Sequence, residues 1–174
     1  MISKSTTTET VSQLCPNCGL CCDSTLFADL ELLAGDDARR LAELGLTIEK
    51  KTRTKLAFAQ PCACFDGTLC NIYGDRPRRC RLFECGLLKR VEANAMTAGA
   101  ALKQISEAKR RVEKVRELLR QSGQREERMA LTHRYAEAMR APVDLANEAD
   151  AERRGELMLA VSDLMQLLQR DFLR

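Results

Sequence analysis

The sequence predicts a mainly α protein, in which a loop-rich, cysteine-containing half with little β structure precedes a small antiparallel helical bundle or hairpin. All nine cysteines lie between Cys15 and Cys85, whereas the residues that follow are rich in the good helix formers Leu, Ala, Glu and Arg. Aromatic residues make up only 4% of the chain and tryptophan is absent, a composition closer to packed helices than to a β sandwich or barrel. We therefore divide the 174 residues into a cysteine-cluster region, residues 1–90, and a helical region, residues 91–174, that packs on it.

The cysteine-cluster region carries few signals of regular structure. Residues 26–33 could form a short strand or a turn of helix. Asp36 is a candidate N-cap for a helix that runs through Leu44 and is ended by Gly45. Two prolines and two glycines punctuate residues 61–77, so we expect loops there.

Three helices are predicted in the helical region. They run from Thr97 to about Gln121, from about Glu126 to Arg140 and from about Asn147 to Arg170. Thr97 is a capping residue, and Ser122-Gly123 is a stop signal for the first helix. The second helix should end before Pro142, because proline disfavours helical geometry in the residue that precedes it.

Apolar stripes on these helices predict how they pack. The spacing of three and then four residues places apolar side chains on one helix face. The stripes are Ile105, Ala108, Val112, Val115 and Leu119 in the first helix, and Leu157, Val161, Leu164 and Leu168, with Met158 and Met165 beside them, in the third. Short links between such helices favour an antiparallel arrangement.

The N-terminus and the net charge restrict location and partners. Residues 1–13 are polar, without the apolar run of a signal peptide or a membrane span, so we expect a soluble cytoplasmic protein with no membrane partner. The formal net charge of +3 gives no global support to nucleic-acid binding. The charged face of the first predicted helix is typical of a solvated surface, although a protein partner could bind the helical region.

The cysteine content is better explained by metal binding than by disulfides. A reducing compartment does not favour lasting disulfides, and an odd number of thiols cannot all pair within one chain. Buried free cysteines are the other interpretation, but nine within so short a span are too many for it.

The spacing of the first cysteines points to a metal centre. The run reads Cys15-Pro-Asn-Cys18-Gly-Leu-Cys21-Cys22. Two residues between thiols let a tight turn aim both sulfurs at one centre, as in zinc knuckles and in ferredoxins, and the spacing alone does not choose between these. The side chains of Cys21 and Cys22 should point in different directions because they are neighbours, so they could serve two centres.

A second motif begins at Cys70 and reads Cys-x-Ile-Tyr-x-x-Arg-Pro-x-x-Cys-Arg-x-Phe. Together with the first run, it resembles the YkgJ-like cysteine-cluster proteins, which are described as zinc- or iron-chelating domains. The resemblance covers about residues 12–90. Many of these relatives continue after the motif with a proline, whereas Glu84-Cys85 follows here.

The resemblance implies eight metal ligands. They are Cys15, Cys18, Cys21, Cys22, Cys62, Cys70, Cys80 and Cys85. Relatives place a cysteine seven or eight residues before the one that precedes Ile-Tyr, which favours Cys62 as a ligand and leaves Cys64 as the spare. We favour an iron–sulfur cluster over zinc, because of the triple repeat and the usual description of the family.

Other side chains are assigned supporting roles. His133, the single histidine, is expected in a packed or exposed structural position rather than at the metal. Four arginines could offset the negative charge of thiolates, and three apolar side chains could cover the site. These are Arg76, Arg78, Arg79 and Arg81, and Ile72, Tyr73 and Phe83.

The sequence therefore predicts a metal-binding protein that holds an iron–sulfur cluster or zinc through cysteine thiolates. Some relatives with this cysteine cluster are linked to flagellin lysine methylation, which makes a metal-dependent enzyme one alternative. The sequence shows no glycine-rich nucleotide loop and no nucleophile constellation. A zinc-finger-like module that contacts phosphates through residues 76–81 is the other alternative.

Overall fold

The computed structural model describes residues 14–140, 142–143 and 146–174. Helix accounts for about 52% of the residues and a three-stranded sheet for 8%, which confirms the predicted mainly α class. Within the described residues, no helix combines the length and the apolar character that crossing a membrane requires. The prediction for residues 1–13 lies outside the described residues.

The described elements are mostly short, except for two helices of 24 residues. In chain order they are α1 (residues 14–18), β1 (Asp29–Glu31), α2 (Ala38–Glu43), β2 (Ile48–Lys50), β3 (Leu56–Ala59), a 3-10 turn (Tyr73–Asp75), α3 (Arg78–Leu82), α4 (Gly86–Glu92), α5 (Ala98–Gln121), α6 (Leu131–Ala138) and α7 (Glu148–Asp171).

The sheet is small and antiparallel, with the strand order β1-β3-β2. Phe58 on the central strand pairs with Leu30 on one side and Ile48 on the other. Its side chain is only 1% exposed, and it packs with Leu41 from α2. For residues 26–33 the sequence left strand or helix open. The structure has a strand there, Asp29–Glu31, which is stabilised by pairing with β3.

The helix α2 begins one residue later than the sequence predicts. Its N-cap is Asp37, whose carboxylate accepts a hydrogen bond from the N–H of Arg40. The carboxylate of Asp36 instead accepts from the N–H groups of Leu33 and Arg78. Asp36 therefore connects two distant loops, which explains why it does not cap the helix. Gly45 ends the helix region with a φ of 105°, as predicted.

The helices α5 and α7, which are not consecutive in the chain, form an antiparallel pair. Arg111 donates to the carbonyl of Asp163, and Lys114 pairs with Glu156, so residue numbers rise along one helix as they fall along the other. Thr97 caps α5 by accepting from Ala100 N–H. The predicted stripe of α5 is buried throughout, and that of α7 is buried except for Val161, which is partly buried.

The helix α6 is shorter than predicted, because it begins at Leu131 rather than near Glu126. Backbone N–H groups of the intervening segment bond to nearby side chains: Glu126 N–H donates to Gln124, and Arg128 N–H donates to Glu126. These local hydrogen bonds compete with a helix. The segment is therefore a turn.

The helical region and the cysteine-cluster region share a core. Leu14 and Leu20 flank the first cysteines, and both are buried with Leu87 and Leu88 of α4 among the side chains of α5 and α7. At the start of α4, Gly86 N–H donates to the carbonyl of Phe172 at 2.9 Å. The helical pair therefore supports one side of the cysteine-rich loops.

Candidate metal centre

One cavity of about 310 Å³ brings together all eight cysteines that were predicted as ligands. The thiols come from four places: the α1 segment and the loop after it, the loop after β3, the helix α3, and the residue before α4. All nine cysteines of the chain are free thiols, without a disulfide among them. The cavity is otherwise lined mainly by apolar side chains.

A tight turn after α1 positions the first four thiols. Gly19 has a φ of 76°, and its carbonyl accepts hydrogen bonds from the N–H groups of Cys22 and Asp23 at 2.8 and 3.0 Å. A Cβ at this position would lie 2.6 Å from the ring of Phe65, so a larger residue would clash. Arg116 of α5 donates to the carboxylate of Asp23 at 3.0 Å and fixes the end of the turn.

The loop after β3 carries the next cavity thiols and is bonded to the first turn. Cys62 N–H donates to the carbonyl of Cys22 at 2.8 Å. Phe65 and Cys70 form an isolated antiparallel bridge, which folds the loop back on itself. This pairing brings Cys70 to the same cavity as Cys62.

Cys80 and Cys85 reach the cavity from two short helices. Cys80 lies within α3, whose first N–H, that of Arg78, is held by Asp36. Cys85 is the residue that precedes α4. The backbone bond from Gly86 to Phe172 therefore fixes Cys85 relative to α7.

Cys64 does not share the cavity with the other eight, although its thiol lies beside that of Cys62. It is not among the residues that line the cavity, and it is only 4% exposed. Its thiol donates to the carbonyl of Leu44 at 3.4 Å and packs with the core of the sheet. It has the environment of a small buried hydrophobe.

Burial and mutual repulsion both disfavour thiolates in the cavity. Burial raises the pKa of Cys18, Cys22 and Cys80 to about 12, and that of Cys62 to about 11. The pKa of Cys21 lies well above its ordinary value, because of burial first and neighbouring cysteines second. A metal that binds here must therefore displace protons, which its own charge makes favourable.

Among the arginines of the basic loop, Arg76 has the clearest electrostatic effect on the thiols. Its positive charge lowers the pKa of Cys15 and Cys80, against the larger effect of burial. The guanidinium lies over the ring of Tyr73, 3.6 Å from its centroid. Arg78, also expected near the metal, instead donates to the carbonyl of Ala34 at 2.7 Å.

Arg76, Arg79 and Arg81 line the cavity, whereas Arg78 does not. The expectation for Arg78 is therefore wrong. The guanidinium of Arg78 instead donates to the carbonyl of Ala34 in the loop before α2, and its backbone N–H donates to Asp36 in the same loop.

Aromatic and apolar residues close the cavity. The three predicted cover residues, Ile72, Tyr73 and Phe83, all line it. The ring of Phe83 meets that of Phe27 edge-on, with centroids 5.0 Å apart. Phe172, at the end of α7, also lines the cavity, and no local sequence signal indicated this role.

His133 is exposed on α6 and does not line the cavity. Among the described residues, no three His, Cys, Asp or Glu side chains already have the spacing of a closed site for one ion. The donor set nonetheless fits the implied metal, because eight soft sulfur donors line one partly open, largely apolar cavity. The eight cysteines are the residues that would hold it.

The fold and this cavity define a mainly α protein with a thiol-lined site. Residues 14–99 match the model of the CxxCxxCC family, described as a putative zinc- or iron-chelating domain. This part of the chain belongs to that family, of which YkgJ-like is another name, so the resemblance seen in the sequence is confirmed. No curated protein and no solved structure gives a significant match to the chain.

Proposed function

We propose that this protein holds an iron–sulfur cluster, or else zinc, through the eight cysteines that line the cavity. The main support for this proposal is the distribution of the nine thiols between the cavity and its surroundings. Eight come from distant parts of the chain to one cavity, whereas the ninth, Cys64, lies behind Cys62, outside the cavity lining, and donates to the carbonyl of Leu44. Apolar packing alone would give no reason for this separation, but metal ligation does.

The size of the cavity supports iron–sulfur as the preferred metal group. Its volume is about 310 Å³. A single zinc ion draws four sulfurs to about 2.3 Å and needs little further space. An iron–sulfur cluster needs room for several irons and their sulfides, and four thiolates hold it.

The exposure of the cavity rim to solvent affects whether a bound metal group could exchange electrons with a partner. Cys15 is exposed at the rim, as is Tyr73, whereas the other cavity thiols are partly buried. A bound iron–sulfur cluster would supply electron transfer, and zinc would supply structural stability. The exposed rim supports a redox role, since electron transfer requires a short path from the surface.

The test is the metal content of the protein purified without oxygen. We expect a brown protein with broad visible absorption, iron and acid-labile sulfide. Cys80→Ser should lose most of this metal, whereas the matched variant Cys64→Ser should retain it, because only Cys80 faces the cavity. A colourless protein with stoichiometric zinc would reject the preferred metal, and equal metal content in both variants would reject the ligand set.

A further inference from the structure

We propose that the eight cavity thiols form two four-cysteine centres. Centre A comprises Cys15, Cys18, Cys21 and Cys85, and centre B comprises Cys22, Cys62, Cys70 and Cys80. This inference rests on the proposed function, because it assumes that the thiols bind metal. It adds the number of centres and the assignment of each ligand.

Packing separates the two sets. Cys18 and Cys85 pack against the core formed by the helices, in which Leu20 and Leu87 are fully buried. By contrast, the three later thiols of centre B pack against the core of the sheet, with Phe58 at its middle. These are Cys62, Cys70 and Cys80. The cavity thus lies between two cores, and each core carries its own group of thiols.

The backbone adds Cys22 to centre B, and the position of α4 groups Cys85 with the first cysteines. The carbonyl of Cys22 accepts from Cys62 N–H, so Cys22 is tied to the loop of centre B. Leu14, next to Cys15, belongs to the same buried core as Leu87 and Leu88, which come two and three residues after Cys85, and all three line the cavity. The α1 segment and the start of α4 therefore meet the cavity from its helical side, which groups Cys85 with the first cysteines.

The electrostatic neighbours of the thiols agree with this division. The pKa of Cys18 is raised by burial and then by Cys85 and Cys15. The pKa of Cys22 is raised by burial and then by three cysteines of centre B. Cys21 is affected by Cys18, Cys85 and Cys15, besides its direct neighbour Cys22.

The two centres would be close neighbours. Cys21 and Cys22 are consecutive, so their Cα atoms are about 3.8 Å apart, and each contributes its thiol to a different centre. Arg76 acts on Cys15 of centre A and on Cys80 of centre B. One cation therefore lies near both sets of thiolates.

The number of centres can be counted with zinc as the probe. The full chain, stripped of metal and reduced, would be titrated with Zn²⁺ and examined by native mass spectrometry. We expect two ions per wild-type chain and one ion in Cys85→Ser and in Cys70→Ser. The control variant Cys64→Ser should bind two. X-ray absorption at the zinc edge should give about four sulfur neighbours at about 2.3 Å per ion.

The outcomes separate the two proposals. A wild-type chain that binds one ion would overturn the two-centre assignment but not the proposed function, whereas no binding of zinc or iron would overturn both. Circular dichroism shows whether each variant folds. Because a variant could unfold on losing a ligand, the wild-type count and its sulfur coordination decide the question independently. A folded Cys85→Ser that binds no zinc would also overturn the assignment.

Discussion

Arg76 shows how a single side chain can favour metal binding without contacting the metal. It is the last residue before Pro77, and its guanidinium is held by the ring and the carbonyl of Tyr73. From there its charge favours the ionised forms of Cys15 and Cys80. The loop therefore places a fixed cation beside sulfurs that burial would otherwise keep protonated.

We expect Arg76→Gln to weaken zinc binding by roughly tenfold, equivalent to about 1.4 kcal/mol. The physical reason is that the thiolates lose a nearby positive charge. Competition with a coloured chelator measures the change. Arg78→Gln is the matched control, because its guanidinium binds the carbonyl of Ala34 outside the cavity. Equal losses in both variants would show that Arg76 has no specific role.

The cysteines that line the cavity could be predicted from the sequence, whereas the roles of the residues around them could not all be predicted. The cavity cysteines could be named because their spacing is a local signal. Arg76 and Arg78 flank the same proline and look equivalent in the sequence. Their difference depends on Ala34 and Asp36, which lie more than 40 residues earlier, and no local pattern encodes such a contact.

At the scale of elements, the backbone at the start of α4 closely approaches the backbone at the end of α7. A Cβ on Gly86 would lie 2.7 Å from the carbonyl oxygen of Asp171 and 2.8 Å from that of Arg174. Both oxygens belong to the backbone, so no side-chain rotation can relieve the clash. The glycine therefore permits α4 to begin where it does, directly after Cys85.

Gly86→Ala should destabilise the protein by about 1–3 kcal/mol, because it overpacks this contact. It should also reduce metal content, since Cys85 must move with the start of α4. Thermal unfolding and metal analysis provide the two measurements. Gly99→Ala, in the first turn of α5 with open space around it, is the control and should be neutral or slightly stabilising. A wild-type melting temperature in Gly86→Ala would contradict this account.

A buried ion pair holds the same contact. Asp171 is 3% exposed, and its carboxylate accepts from Arg90 of α4 at 2.9 Å and from Arg170 at 2.7 Å. Burial alone would raise the pKa of Asp171, but these two hydrogen bonds outweigh it and hold the pKa below its ordinary value. The pair therefore stabilises the fold when the carboxylate is ionised.

Asp171→Asn should lower the free energy of unfolding at neutral pH by about 1–3 kcal/mol, the contribution of hydrogen bonds to a charged group. Because the folded pKa is depressed, the contribution of Asp171 is complete above its unfolded pKa of about 3.9. It is lost as pH falls through the lower, folded value, so the difference between variant and wild type should shrink in acid. Denaturant titrations at several pH values test this, with Asp163→Asn on the exposed face of α7 as control.

The limits of a helix were predicted correctly where neighbouring residues in the sequence determine them. The limits of α5 were predicted at both ends, because Thr97 caps it and Ser122-Gly123 ends it. The start of α6 was predicted too early, because Glu126 forms a turn with its own neighbours. The strands β2 and β3 were not predicted, since three or four residues are too few for periodicity and their pairing supplies the structure.

At the scale of the whole molecule, the two regions should depend differently on metal. The long helices α5 and α7 bury a continuous apolar stripe, whereas the loops around the cavity have little regular structure. Metal ligation supplies folding energy where secondary structure does not. The cysteine-rich loops should therefore be the part that loosens when metal is removed.

Removal of metal by a chelator should raise amide hydrogen exchange in residues 60–85 by at least about tenfold, while the buried face of α5 stays protected. Exchange measured by mass spectrometry before and after chelation tests this. Addition of zinc or reconstitution of the cluster should restore protection. Uniform loosening of both segments would indicate that the helical region also requires the metal.

The position of Phe172 has a consequence for the timing of assembly during protein synthesis. Every cysteine has left the ribosome long before this residue is made, yet the carbonyl of Phe172 receives Gly86 N–H, and its ring lines the cavity. A nascent chain that stops short of it possesses all its sulfurs but lacks the wall on which Cys85 depends. We therefore expect the cavity to be completed only after α7 has been translated and its end has docked on α4.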